Sequence, residues 1–353
     1  MPNSNQHMQH KRFFYEEAYK LAASNTRQLK NQLKSLYHDD AQWRGSHPIN
    51  DIQGTDAIHE TVWQPLLKSF PDLERRDSIL IGGSFEGRDY VATMGHYCGT
   101  FRNNWLSIPA NGQPVYIRYG EVHQFIDGRI SQSSCLWDIM DVIRQAGFWP
   151  IAPSTGTEGM WPGPITSDGI VLHETDTQRS AESIAQTLAM HKSLGDYNDK
   201  DQLGREGLLN MSQKEFWHPK MMWYGPGGIG TCRGLQGFVD YHQLPFRIAF
   251  PNRKGGAQIT NKTKGGHYIR VGDGKYSVTG GWPSVRAKHL GGNFLGTSPT
   301  GREVTMRVMD FYLHHEGLIR ENWVPIDIIQ LLLQMDVDVF DRLQPAFNRG
   351  VIA

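Results

Sequence analysis

Two aspartates stand at matched points of two spaced series in this chain. Asp138 lies ten residues after Gly128 and seven before Gln145, and Asp327 lies ten after Gly317 and seven before Gln334. A carboxylate in a partly apolar pocket has its pKa raised by burial and can shuttle a proton at neutral pH. Each also precedes an apolar helical start, Ile139-Met140 and Ile328-Ile329, where an aspartate caps the helix N-terminus. The two roles are compatible. Arg118 and Arg307 both lie ten residues before the glycine, and Glu121 and Asp310 both lie seven before it. An offset of three along a strand puts the arginine and the acid on opposite faces. Unless a bulge intervenes, only one of each pair can then point inward, as an oxyanion partner or as a second acid; the alternative for each is a salt bridge on the barrel exterior.

Other chemistry-bearing residues differ between the two series. Glu321 and Trp323 stand where the first series has Gln132 and Ser134. They share strand parity with Asp327 and face the same side if the strand continues past Pro325. Trp323 would then wall an aromatic pocket. Trp223, Tyr224 and Trp282 are further pocket-or-core aromatics, with Trp43 and Trp105 in the first half. His96, His242 and His289 are acid/base candidates near neutral pH, although a lone histidine is commonly a satisfied core or surface residue. His123 matches Tyr312. His314-His315-Glu316 has metal-ligating types, but neighbours on a strand point apart, and no HExxH occurs. No metal site is expected.

These residues are positioned by a domain that occurs twice. Trp43 to Gly54 is 11 residues and Gly54 to Phe70-Pro71 is 16; Trp223, Gly234 and Phe250-Pro251 repeat both spacings. Gly112 to Gly128 and Gly301 to Gly317 are both 16. Within each copy, helices come first. Phe14, Ala18, Leu21, Leu29, Leu33 and Leu36 predict helical structure over 8–38, and a helix over 177–193 opens the second copy. Strand patterns follow at 78–81, 90–97, 114–125 and 129–136, with Asp127-Gly128 as a hairpin turn. Helices over 139–146 and 328–335 close the copies. Helices followed by hairpin-linked strands indicate α+β architecture. The boundaries expected are a first domain over 1–147, a Pro/Gly-rich linker over 148–175 and a second domain over 176–353.

Composition narrows the function classes. Lys+Arg and Asp+Glu are both 36 in 353 residues, so no basic excess points to nucleic acid or an anionic membrane. No apolar run reaches the ~20 residues of a membrane span, and the N-terminus has no signal-like apolar region. A cytoplasmic protein is expected. The three cysteines form no zinc or redox spacing. Gly225-Pro-Gly-Gly-Ile-Gly230 formally matches a dinucleotide fingerprint, but Pro226 interrupts it and the βαβ context is missing; it reads as a loop over a cavity mouth.

The segment Glu316-Gly-Leu-Ile-Arg-Glu-Asn-Trp-Val-Pro-Ile-Asp327, followed by Leu331-Leu-Leu-Gln334, resembles the C-terminal signature of SnoaL-like polyketide cyclases of the NTF2-like superfamily. Gly54-Thr-Asp-Ala-Ile58 through Phe70-Pro-Asp72, and Arg233-Gly-Leu-Gln-Gly-Phe238 through Phe250-Pro-Asn252, are similar to the same family. The resemblance implies two cone-shaped α+β barrels, each with helices packed in a highly curved antiparallel sheet, joined as an intrachain pseudo-dimer; further homodimerisation is compatible with it. It implies acid/base chemistry on a carbonyl-containing small molecule without metal or cofactor: aldol cyclisation, isomerisation, dehydration or a lyase step. Asp327 and Asp138 fall where the family's general acid/base is expected, and the second copy retains more of the pattern. The alternative is a non-catalytic module that binds small molecules or proteins.

Overall fold

The structure is a computed structural model, and it describes residues 4–195, 204–255 and 266–348. The chain divides into two compact units. One comprises the chain to Pro150, Pro162–Thr175 and the chain from Asp338 onward; the other comprises Ile151–Trp161 and Asp176–Val337. The Pro/Gly-rich stretch is thus divided between the units.

In the first unit, α1 (Ser4–Ala22) and α2 (Thr26–Leu36) take up the helical pattern. Asn25 separates them: its side chain accepts from the backbone N–H groups of Arg27 and Gln28 and caps α2, the local bond that favours asparagine at a helix start. Tyr37 and His38, expected to be helical, open β1 (Tyr37–Gly45) instead. After β2 (Asp51–Gln53), α3 (Thr55–Ile58) and α4 (Gln64–Ser69) flank a π turn over His59–Trp63. There the Gln64 N–H reaches the His59 carbonyl, and Pro65, without an N–H, follows at once; the wide turn accommodates that missing donor. Then come β3 (Glu74–Phe85), β4 (Arg88–Thr100), β5 (Pro114–Ile126), β6 (Arg129–Trp137) and α5 (Ile139–Gln145).

The second unit repeats this plan with α6 (Thr177–Gly195), α7 (Arg205–Asn210), β7 (Trp217–Tyr224) and β8 (Cys232–Arg233). Its α8 (Gly234–Phe238) and α9 (Leu244–Ala249) again flank a π turn, Val239–Gln243, ahead of Pro245. The strands β9 (Lys254–Gly255), β10 (His267–Asp273), β11 (Tyr276–Lys288), β12 (Glu303–His315) and β13 (Leu318–Trp323) lead to α10 (Ile328–Gln334). The final helix, α11 (Val339–Asn348), belongs to the first unit, where the Phe340 ring lies 6.1 Å from the His47 ring.

The sheet order is β2-β1-β6-β5-β4-β3 in the first unit and β10-β11-β12-β13-β7-β8 in the second. Hairpins make most pairs antiparallel, but β1 runs parallel to β6 and β7 runs parallel to β13. The sheets are therefore mixed, because the first strand of each copy comes back to pair with the last. In the first unit α1 packs on β3 and β4; in the second α6 packs on β10 and β11. One face of each sheet is thereby enclosed, and side chains alternating toward that face meet one another beneath the helix.

Candidate active site

The alternation of β12 decides which side chains enter the second unit's interior. Met306, Val308, Asp310 and Tyr312 line a cavity of about 170 Å³. Arg307, Met309 and Phe311 belong to the other parity. From β13, Asn322 enters the cavity, while Glu321 and Trp323 do not line it. The apolar wall includes Trp217, Trp223, Phe238 and Phe246. Ile229, from the Gly225–Gly230 loop, closes part of it.

Asp310 is the acid of this cavity. It keeps some accessible surface, and as a lining residue it shows that surface to the cavity. Burial pushes its carboxyl up to about 7, against the smaller opposing effect of hydrogen bonds from Tyr312 and Asn322. A carboxyl that half-ionises at neutral pH can both take and return a proton. The Tyr312 hydroxyl is also 2.8 Å from His191 Nε2 on α6. His191 is partly accessible, so Asp310, Tyr312 and His191 form a hydrogen-bonded chain from the cavity floor into the helix.

Two further histidines face the cavity. His242 stacks on Trp223 with ring centroids 4.0 Å apart, and His267 Nε2 lies 2.7 Å from Ser284 Oγ. Burial holds His191 at about 4 and His242 at about 3, and holds His267 well below its ordinary value. All three are neutral at pH 7. The Nδ1 atoms of His242 and His267 are buried and find no hydrogen-bond partner among the described residues. A buried polar atom left unsatisfied is costly.

Asp327 and Asp138 lie elsewhere. Asp327 caps α10: its Oδ1 accepts from the Gln330 N–H at 3.1 Å, and its Oδ2 pairs with Arg307 Nη1 at 3.1 Å. Asp138 caps α5 in the same way, accepting from the Asp141 N–H at 3.0 Å and pairing with Arg118 Nη2 at 2.7 Å. The matched arginines and aspartates are thus one repeated structural device, an N-cap clamped by a strand arginine. Arg307 also stacks 4.8 Å over Trp282, so neither residue forms part of the cavity lining. Glu321 accepts from the Tyr224 hydroxyl at 2.9 Å, and Tyr224 stacks on Trp323 at 5.3 Å. These three make a buried cluster on the opposite sheet parity. His289 is buried against Phe250, 5.5 Å between rings, and His96 lies 4.4 Å from the Tyr116 ring in the first unit. Of the residues singled out from sequence, Asp310, Tyr312, Trp223 and His242 come together. His191, His267, Ser284 and Asn322 join them without having been singled out. His191 precedes the stretch of matched spacings; Asn322 sits between two residues that were noticed, one step out of their parity.

In the first unit the corresponding acid, Glu121, meets a cation. Arg75 Nη1 is 2.9 Å from Glu121 Oε2, and Arg75 Nη2 is 2.9 Å from Asp77 Oδ1. Tyr97 donates to Glu121 at 3.1 Å, Trp137 Nε1 donates to it at 2.8 Å, and Tyr119 donates to Asp77 at 2.6 Å. The guanidinium is faced by the Tyr119 ring at 4.7 Å and the Phe14 ring at 5.2 Å. Burial alone would raise the Glu121 carboxyl; Arg75 beside it, with His123 and Trp137, holds it at about 2. It is a fixed anion in a closed network and not a proton shuttle.

Among the described residues no cluster of His, Cys, Asp or Glu is arranged to hold a metal ion, and the three cysteines are free thiols. No helix among them is long and apolar enough to cross a membrane.

Residues 12–146 match the family described as SnoaL-like polyketide cyclase. No curated protein matches the chain significantly. Among solved structures it is similar to a proposed SnoaL-like polyketide cyclase from Jannaschia sp. CCS1, at 17% identity and TM-score 0.32, covering 39% of this chain and 90% of that one. It is similar to IdmH, a proposed polyketide cyclase from Streptomyces antibioticus, at 19% identity and TM-score 0.33, covering 39% and 99%. A third is an NTF2-like protein of unknown function from Burkholderia pseudomallei, at 15% identity and TM-score 0.30, covering 38% and 95%.

Proposed function

On the premise that this chain belongs to the SnoaL-like polyketide cyclase family through its first domain and repeats that fold in its second, we propose that it is an acid/base enzyme acting on a carbonyl-containing small molecule, with its reacting site in the second domain. The observation that carries this reading is Asp310, a carboxyl raised to about 7 inside an apolar cavity. Ionised Asp310 removes a proton from the carbon next to the substrate carbonyl. The electron pair moves onto the carbonyl oxygen, giving an enolate. Neutral polar side chains of the lining, Asn322 and Ser284 among them, are suitable donors to that oxygen. Protonated Asp310 then returns its proton, to a different carbon in an isomerisation or to a leaving or newly formed oxygen in a dehydration or aldol step.

Tyr312 and His191 support the turnover of that proton. With Asp310 ionised, Tyr312 donates to the carboxylate and His191 donates to Tyr312. With Asp310 protonated, both bonds can reverse. The first domain serves as scaffold, since Arg75 keeps Glu121 permanently charged.

Enolisation is testable without the natural substrate. Solvent deuterium exchange at the α-carbon of small ketones, followed by proton NMR with the full chain, should be faster than in buffer and fall to the buffer rate in Asp310→Asn. Equal exchange with both proteins sinks the assignment.

A further inference from the structure

The cavity that holds Asp310 also carries information about what enters it, resting on the reading of that cavity as the reacting site. Its volume of about 170 Å³ is close to the ~150 Å³ that accommodates one benzene-sized molecule. At the packing density of protein interiors it holds about eight to ten non-hydrogen atoms. Drug-sized pockets run to roughly 300–1,000 Å³, so fused three- or four-ring compounds would leave part of their rings outside it.

Charge narrows the class further. Among the described residues lining the cavity there is no lysine or arginine, and Asp310 is its single acid. The cations felt by the histidines lie behind the wall: Arg247 influences His242, and Arg270 influences His191 and His267. Arg247 is engaged by the Gln243 side chain at 3.1 Å and by the Leu194 carbonyl at 2.9 Å. The three histidines stay neutral, so they offer hydrogen bonds without charge. An anionic substrate would enter with no counter-ion among the described lining residues and would face ionised Asp310 in a low dielectric. Flat aromatic surface is well provided for by Trp217, Trp223, Phe238 and Phe246, and Asp310, Tyr312, Asn322, Ser284 and the three histidines are polar side chains of the same lining.

We propose that the second domain takes an uncharged, single-ring carbonyl compound, held by aromatic walls with its oxygen among the polar side chains of the lining, and that it excludes both carboxylates and fused polycyclic substrates.

The experiment compares three probes by isothermal titration calorimetry at pH 8 with the full chain: acetophenone, its anionic analogue 4-acetylbenzoate, and the fused three-ring ketone anthrone. Acetophenone is expected to bind saturably, 4-acetylbenzoate at least ten-fold more weakly, and anthrone not measurably. Val308→Trp should abolish acetophenone binding by filling the cavity. Should that variant fail to fold, loss of the ligand's transferred-NOE contacts to ring protons of the wall in Trp223→Leu serves instead. Binding of 4-acetylbenzoate as tight as acetophenone, preferential binding of anthrone, or no binding of acetophenone overturns the proposal. Acetophenone should still bind Asp310→Asn. Selective binding by the wild type without α-proton exchange would remove the enzyme reading and leave the ligand class standing; exchange confined to anionic or polycyclic ketones would do the reverse.

Discussion

Glu121 and Asp310 occupy the same position of matched strands, seven residues before the hairpin glycine, yet one carboxyl is held at about 2 and the other is pushed up to about 7. Burial acts in the same direction on both. The difference is Arg75, 2.9 Å from Glu121, whereas the groups acting on Asp310 are burial and two neutral side chains, Tyr312 and Asn322. One fold thus carries a structural anion in its first copy and a titrating acid in its second.

If Asp310 acts as the base, kcat/KM should rise with pH through about 7 and level above it. Asp310→Asn should lower the rate by about 10²–10⁴-fold while the circular dichroism spectrum stays unchanged.

The same raised pKa predicts a stability effect. Between the unfolded carboxyl value of about 3.9 and about 7 the folded state binds more protons, so stability falls as pH rises through that window. The wild type should be most favoured near pH 4 relative to Asp310→Asn. Between pH 4 and pH 8 the difference should shift in the variant's favour by up to about 4 kcal/mol. Urea unfolding of both proteins at several pH values measures this, and parallel curves would contradict it.

Tyr312 and Asn322 each hold the Asp310 carboxyl lower than burial alone would. Tyr312→Phe and Asn322→Leu should therefore move the acid limb of the rate profile to higher pH. An unmoved or lowered limb in both variants would mean that these bonds are not made to the ionised form.

Asp327→Asn separates capping from chemistry. Asparagine caps a helix about as well as aspartate, so the change falls on the carboxylate's charge, which pairs with Arg307 3.1 Å away. Stability should fall by about 1–2 kcal/mol and turnover should change by less than about three-fold. A thousand-fold loss of turnover with the fold intact would return the acid/base role to Asp327.

Arg75→Met in the first domain should be severe. It leaves Glu121 and Asp77 buried beside one another without their cation, and breaking a buried pair from one side costs about 3–5 kcal/mol. A melting temperature close to that of the wild type would refute the structural role given to this network.

Much of the architecture is written in local spacing. The duplication, the α+β order, the hairpin at Asp127-Gly128 and the closing helices after Asp138 and Asp327 follow from turn residues and hydrophobic period, which act over a few residues. Local signals reach less far where neighbours share a pattern. The apolar period runs through Asn25 and past Leu36, and only the cap bonds at Asn25 and the pairing of Tyr37 with Ile130 end the helices where they end. Strand parity fixes that Arg307 and Asp310 point apart, but it carries no information on which faces inward. That choice depends on where α6 lies against the sheet, a packing that joins residues such as Thr187 and Ser277, 90 apart, and His191 and Tyr312, 121 apart. The same is true of the proton affinities: Arg75 reaches Glu121 across 46 residues, and His191 reaches Tyr312 across 121. The sequence by itself determined the repeated scaffold, because its rules are short-ranged; the tertiary structure alone decided which acid titrates, because desolvation and charge are properties of the assembled interior.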